Sequence, residues 1–242
     1  MAVEKVHYLG LLKSVLGYVD TENYTYGELF NEINANTGGI NCGVEVFDRA
    51  DSTEEFQAMF SVRGKALYTK MDFLFKMIGE ILNSSKLEDT KRLYEIVASV
   101  KSRAQVNLTG AGHSTAVLRA AAYSSPMAAF QDEMAGIGYY QFIEKLEKDF
   151  EQRKEETVEE LCKLMKKILR PENFMISYTG ERESMEAVQK LAGAVKAGLG
   201  TEPVEKSEEK LTCTKKNEGF KTSGQVQYVA QTGNFKKKGL EY

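Results

Sequence analysis

From residue 66 to residue 169 apolar side chains recur at helical spacing, and this long run constrains the fold more than any other feature of the chain. Leu93, Ile96, Val97, Val100 and Ala104 follow the i, i+3, i+4, i+7 rule that gathers side chains on one helix face. Ser85-x-x-Glu88 ahead of them reads as a capping box. Gly110-Ala111-Gly112 interrupts the run, and a small-residue helix follows around Thr115 to Ala122. Pro126 predicts a kink, and two more helices extend through Phe150 and Leu169.

The residues before this run change period twice. Val3, Val6, Leu9, Val15, Leu16 and Val19, with Leu11 and Leu12 among them, predict a buried helix over residues 3 to 19. A second helix starts at Thr25-Tyr26-Gly27-Glu28, which fits a capping box, and stops at Gly38-Gly39, where a positive φ can end it. Then Ile40, Cys42, Val44 and Val46 alternate with polar residues, and Phe56, Ala58, Phe60 and Val62 alternate again after a turn. This pattern predicts two neighbouring antiparallel strands.

After Arg170-Pro171, Phe174, Ile176 and Tyr178 predict a third strand, and a helix follows from about 181 to 197. Helices collected between strands indicate an α+β fold, with a mostly antiparallel sheet covered by helices on one face. Residues 1–199 are read as this domain, and residues 200–217, rich in Glu and Lys and poor in apolar residues, as an interdomain linker. Residues 218–242, with a short strand at Gln225 to Ala230 and a helix start from Gly233, are too few to form a core of their own. They read as the opening of a further, incomplete domain.

Charge excludes some functions. The net charge is −3, and the 32 basic residues are interleaved with 35 acidic ones, so the clustered basic surface that binds nucleic acid is missing. Lys236-Lys237-Lys238 reads as a solvated patch. No apolar run is long enough for a membrane span, and no secretory signal pattern opens the chain. The widely spaced Cys42, Cys162 and Cys213 point to reduced thiols and a cytoplasmic or similarly reducing compartment, an organelle matrix included.

Several stretches together carry a family resemblance. Tyr24-Thr-Tyr-Gly-Glu-Leu-Phe-Asn-Glu-Ile33, Thr37-Gly-Gly-Ile40, Arg63-Gly-Lys-Ala-Leu67, Ala111-Gly-His-Ser-Thr-Ala-Val-Leu-Arg-Ala120, Asn217-Glu-Gly-Phe220 and Gln225-Val-Gln-Tyr-Val229 resemble the pitrilysin and insulinase (M16) family of zinc metallopeptidases, and within it the presequence protease-like branch. The likeness runs over nearly the whole chain. It implies a four-domain peptidase whose halves close around peptides, with zinc held by an inverted His-x-x-Glu-His motif. Two imidazoles one turn apart hold the metal there, and the Glu polarises the attacking water.

His7-Tyr8-Leu9-Gly10-Leu11 matches that motif in spacing only, with Gly10 at the base position and Leu11 at the second ligand position. These degenerate positions leave the helix without a ligand set, so no metal and no catalytic residue is expected in this chain, and zinc belongs to the parent enzyme. The resemblance then implies the family's silent third domain and the start of the fourth. Its partners would be the other domains of the parent peptidase and peptide substrates, with no nucleic acid and no membrane.

Among the remaining residues, His113 in the glycine-rich stretch is the candidate for contact with a peptide or a neighbouring domain, against a simpler part in capping or loop packing. Gly38-Gly39 lies between helix and strand, the reverse of a phosphate loop. Two other functions remain open to the sequence. One is a freestanding inactive scaffold or assembly homologue of the same family. The other is an unrelated cytosolic enzyme, which would show a deep pocket of titratable groups with shifted pKa values.

Overall fold

The computed structural model describes residues 3–52, 54–204, 211, 213–222, 225–235 and 239–240; the side chains of Val3 and Glu4 are outside that description. The first helix, α1 (Val3–Val15), is the pillar of the core. Val6, Tyr8, Leu9, Leu11, Leu12 and Val15 are all buried, so the helix is covered on nearly every side, and it touches α4, α6, α7, α8 and β1 as these are defined below. It ends sooner than the apolar pattern predicts, because Gly17 adopts φ 87° and the Tyr18 N–H closes a turn on the Val15 carbonyl at 2.9 Å.

Helix α2 (Tyr26–Asn36) begins with the expected capping box. The Glu28 N–H donates to the Thr25 hydroxyl at 3.3 Å, and the Glu28 carboxylate accepts from the Thr25 N–H at 2.9 Å. Thr25→Ala removes the hydroxyl and its bonds to the Glu28 N–H and carboxylate but keeps the backbone N–H, and is expected to cost about 1 kcal/mol in chemical denaturation. Gly39, at φ 107°, makes the turn into the sheet. The turn is tied to the end of the second strand by Gly38 N–H to the Lys65 carbonyl at 2.6 Å and Lys65 N–H to the Gly39 carbonyl at 3.2 Å.

Strands β1 (Ile40–Asp48) and β2 (Phe56–Gly64) pair antiparallel, with Ile40 opposite Gly64, Cys42 opposite Val62 and Val44 opposite Phe60. The period of two sends Ile40, Cys42, Val44, Val46, Phe56, Phe60 and Val62 against the core. Glu45 and Arg63 meet at 2.8 Å on the opposite face.

The remaining helices are α3 (Met71–Ser84), α4 (Thr90–Gly110), α5 (Gly112–Ala122), α6 (Pro126–Ala135), α7 (Ile137–Lys148), α8 (Phe150–Ile168) and α9 (Met185–Ala197). The sheet contacts α1 and α6 through β1 and α3 through β2, so it is lined by helices as an α+β arrangement requires.

The structure departs from the sequence pattern at several places. The sheet described is two-stranded: Phe174 to Tyr178 forms no ladder, because alternation sorts side chains onto two faces but does not bring the segment alongside β1 or β2. Phe174 packs on the core, while Tyr178 is held locally by the Ser184 hydroxyl at the start of α9. Ser85 does not cap α4; its hydroxyl closes α3 on the Ile81 carbonyl at 2.7 Å, and Asp89 caps α4 by accepting from the Arg92 N–H at 3.0 Å. Pro126 opens α6 at its first position behind the Ser125 cap instead of kinking a helix.

The described residues of the expected strand Gln225 to Ala230 also form no ladder. The expected helix start from Gly233 lies partly outside the described residues, and Gly233 to Phe235 are not helical.

Candidate functional site

Two places bring the singled-out residues together. The first is the face of α1 that carries His7, Gly10 and Leu11. His7 stacks on Phe142 of α7 with ring centroids 4.6 Å apart, and its Nε2 meets the Glu133 carboxylate at 2.5 Å. Its Nδ1 is buried and has no hydrogen-bond partner among the described residues. Leu11 is fully buried in the core. Gly10 marks a close approach of α1 to α6 and α7. A Cβ there would lie 2.6 Å from the Met134 carbonyl oxygen and 2.8 Å from Cε2 of Tyr139.

The three positions therefore do not fit a zinc centre: one imidazole is engaged by a carboxylate, and the other two positions supply no donor atom. Position 10 also lacks the volume for a general base. Among the described residues no group of three or more His, Cys, Asp and Glu side chains is close enough to share an ion.

The second place is where the described residues of 216–222 and 225–230 cross α5. Here α5 presents small residues, Gly112, Thr115, Ala116 and Ala120, toward a cleft of about 1260 Å³ shared with α4 and α7. His113 is exposed at the first turn of α5, with its ring centroid 5.9 Å from that of Tyr228. Tyr228 fills the space beside Gly112, where a Cβ would lie 2.7 Å from its ring. His113 thus touches the chain's own distal segment.

Arg119 is the hub of this region. Its Nη1 donates to the buried Asp132 carboxylate at 2.6 Å, and its Nε and Nη2 donate to Glu218 at 2.9 and 3.3 Å. Asp132 also accepts from the Ile137 N–H at 3.1 Å and the Gly138 N–H at 3.2 Å, capping the first turn of α7 with negative charge. The Tyr123 hydroxyl donates to Glu218 as well.

Burial opposes the charge on Arg119, yet hydrogen bonds from its guanidinium to Glu218 and Asp132 outweigh it and hold its pKa above the ordinary arginine value. The Arg119 guanidinium in turn holds the Glu218 carboxyl below the usual carboxylate range. Such charge-assisted, forked contacts are among the stronger hydrogen bonds in proteins.

Of the sequence candidates, His7, Gly10 and Leu11 share one helix face, whereas His113 stands apart beside the distal segment. Arg119, Tyr123, Asp132 and Glu218 were not singled out. Arg119 and Glu218 lie inside two of the quoted stretches, Ala111–Ala120 and Asn217–Phe220, and those stretches meet in space. An acid at position 132 amid Met127, Phe130 and Met134 was the available signal for a buried ion pair.

Fold and sites together define an α+β helical domain whose inverted-motif spacing is filled by packing. Residues 1–146 match the family of domains described as associated with M16 peptidases of subfamily C, and the chain belongs to that family. It is 33% identical to Protein HypA of Clostridium perfringens over 237 residues, 98% of this chain and 24% of the relative. It is 30% identical to the mitochondrial presequence protease of Yarrowia lipolytica over 146 residues, 60% of this chain and 15% of the relative.

With presequence protease 1, chloroplastic/mitochondrial, of Arabidopsis thaliana, identity is 25% over 225 residues, 91% of this chain and 20% of the relative. The chain spans about a quarter or less of the length of these relatives. The resemblance to the presequence protease-like branch therefore holds. Among the described residues no helix is long and apolar enough to cross a membrane.

Proposed function

We propose that this chain is the third domain, with the opening of the fourth, of a larger presequence protease-like zinc metalloendopeptidase, and that it contributes no catalytic residue. Its part is to form some of the wall of the chamber that encloses extended peptides and to pack against the other domains. The division into residues 1–199, 200–217 and 218–242 belongs to this proposal, as does zinc held elsewhere in the parent enzyme. So does a reducing compartment, cytosol or organelle matrix. None of the three cysteines forms a disulfide, and burial pushes the Cys42 thiol up to about 12, which makes it inert at neutral pH.

The observation that carries the reading is the closure of α1 onto the end of α6 at Gly10. Where a family peptidase needs a carboxylate and a second imidazole, this helix has a backbone contact and a core leucine. Physical chemistry makes the helix a pillar instead of a ligand platform.

The test is metal analysis of the purified 242-residue chain, together with an assay on a fluorogenic unfolded peptide. No stoichiometric zinc and no cleavage are expected. Tightly bound zinc that disappears in His7→Ala, with peptide cleavage lost alongside it, would falsify the assignment. The chamber role is tested in a catalytically inactive full-length protein by a photoreactive peptide, which is expected to crosslink to this segment. Crosslinks confined to the other domains would remove that part of the proposal.

A further inference from the structure

We propose that Arg119 is an ionic latch, holding an arm made of the described residues 216–222 and 225–230 across the cleft between α4, α5 and α7 and tying the arm's position to the first turn of α7. No helix or strand ladder secures the arm among its described residues. Side chains attach it instead, and two of these attachments reach α5. Glu218 docks on Arg119 and Tyr123, with Phe220 5.8 Å from the Arg119 guanidinium. Tyr228 docks on Gly112 and His113.

The two attachments differ in what lies behind them. Tyr228 rests on the open first turn of α5, so its release frees the arm and leaves the helices as they were. Arg119 instead shares its guanidinium between Glu218 on the arm and Asp132 in the interior, and Asp132 accepts the first two N–H groups of α7. When Glu218 leaves, Asp132 is the remaining carboxylate on Arg119, and the guanidinium is free to shift. The geometry that caps α7 then shifts with it.

Helix α7 also carries Tyr140, Gln141 and Glu144 into the cleft, so the cleft wall and the arm that spans it respond to one contact. A segment held by side chains and not by a backbone ladder opens at low free-energy cost, which is what a movable cover requires. The proposal is independent of the assignment to a peptidase and concerns only how this chain opens.

The experiment uses the 242-residue chain and two variants, Glu218→Ala and Tyr228→Ala. Tryptic cleavage after Lys221 reports release of the arm, and amide exchange of Ile137 and Gly138, resolved by NMR, reports the first turn of α7. Glu218→Ala is expected to raise the cleavage rate about tenfold, the loss of one charged hydrogen-bonded contact, and to raise exchange at Ile137 and Gly138. Amides of α1 and α8 should stay as protected as in the parent chain.

Tyr228→Ala is expected to speed cleavage and leave those two amides unchanged. The latch is overturned if Glu218→Ala leaves cleavage unaltered, or if it frees the arm without moving Ile137 and Gly138. It is equally overturned if exchange rises in every helix together, or if Tyr228→Ala moves the two α7 amides as far as Glu218→Ala does.

Discussion

Gly10→Glu, which restores the spacing His-x-x-Glu on α1, is expected to unfold the domain rather than build a metal ligand. Even the Cβ of alanine would press on the Met134 carbonyl oxygen and the Tyr139 ring, at 2.6 and 2.8 Å. Helix propensity favours alanine over glycine by about 1 kcal/mol, but inserting a methyl group into a packed interior costs about 1–3 kcal/mol, and backbone is the least yielding neighbour.

Gly10→Ala should therefore be destabilised on balance. Gly10→Glu adds a carboxylate against the Met134 carbonyl oxygen and the buried Tyr139 ring and should lose more than about 4 kcal/mol. Thermal unfolding measures both, at about 2–4 °C per kcal/mol for a chain of this size. A Gly10→Glu protein melting within a few degrees of the parent would mean that α1 and α6 are less tightly joined than described, and the steric objection to a metal site on α1 would fall.

Arg119→Ala is expected to be the second severe change, lowering stability by about 3–5 kcal/mol in urea denaturation, because it strands the Asp132 charge in the interior. The Ile137 and Gly138 N–H groups still donate to Asp132, which places the expected loss toward the lower end of that range. Asp132→Asn in the Arg119→Ala background removes the stranded charge and should recover part of the loss. No recovery in the double variant would show that packing of the Arg119 stem, not its charge, accounts for the cost.

Much of the fold is legible in residue order because it depends on neighbours in the chain. The Thr25–Glu28 capping box, the break at Ala111, the turn at Gly39 and the pairing of Ile40–Val46 with Phe56–Val62 all follow from local spacing and from residues with special φ or hydrogen-bonding habits. Where local signals compete, order alone misassigns the winner. Ser85 and Asp89 both suit an N-cap, and Ser85 is taken by the helix before it. Phe174 to Tyr178 has the alternation of a strand but pairs with neither β1 nor β2.

For the candidate sites the division is similar. That positions 10 and 11 bring no donor atom to a divalent ion is visible in the residue names, and so is the family likeness carried by the six short stretches. That Gly10 also has no space, that His7 is claimed by Glu133, and that Arg119 joins Asp132 to a Glu218 lying 99 positions beyond Arg119 in the chain are decided by tertiary packing. Periodicity reports which face of an element is apolar; it carries no record of which distant backbone or charge will be pressed against that face, because those distances exist only after the helices have closed on one another.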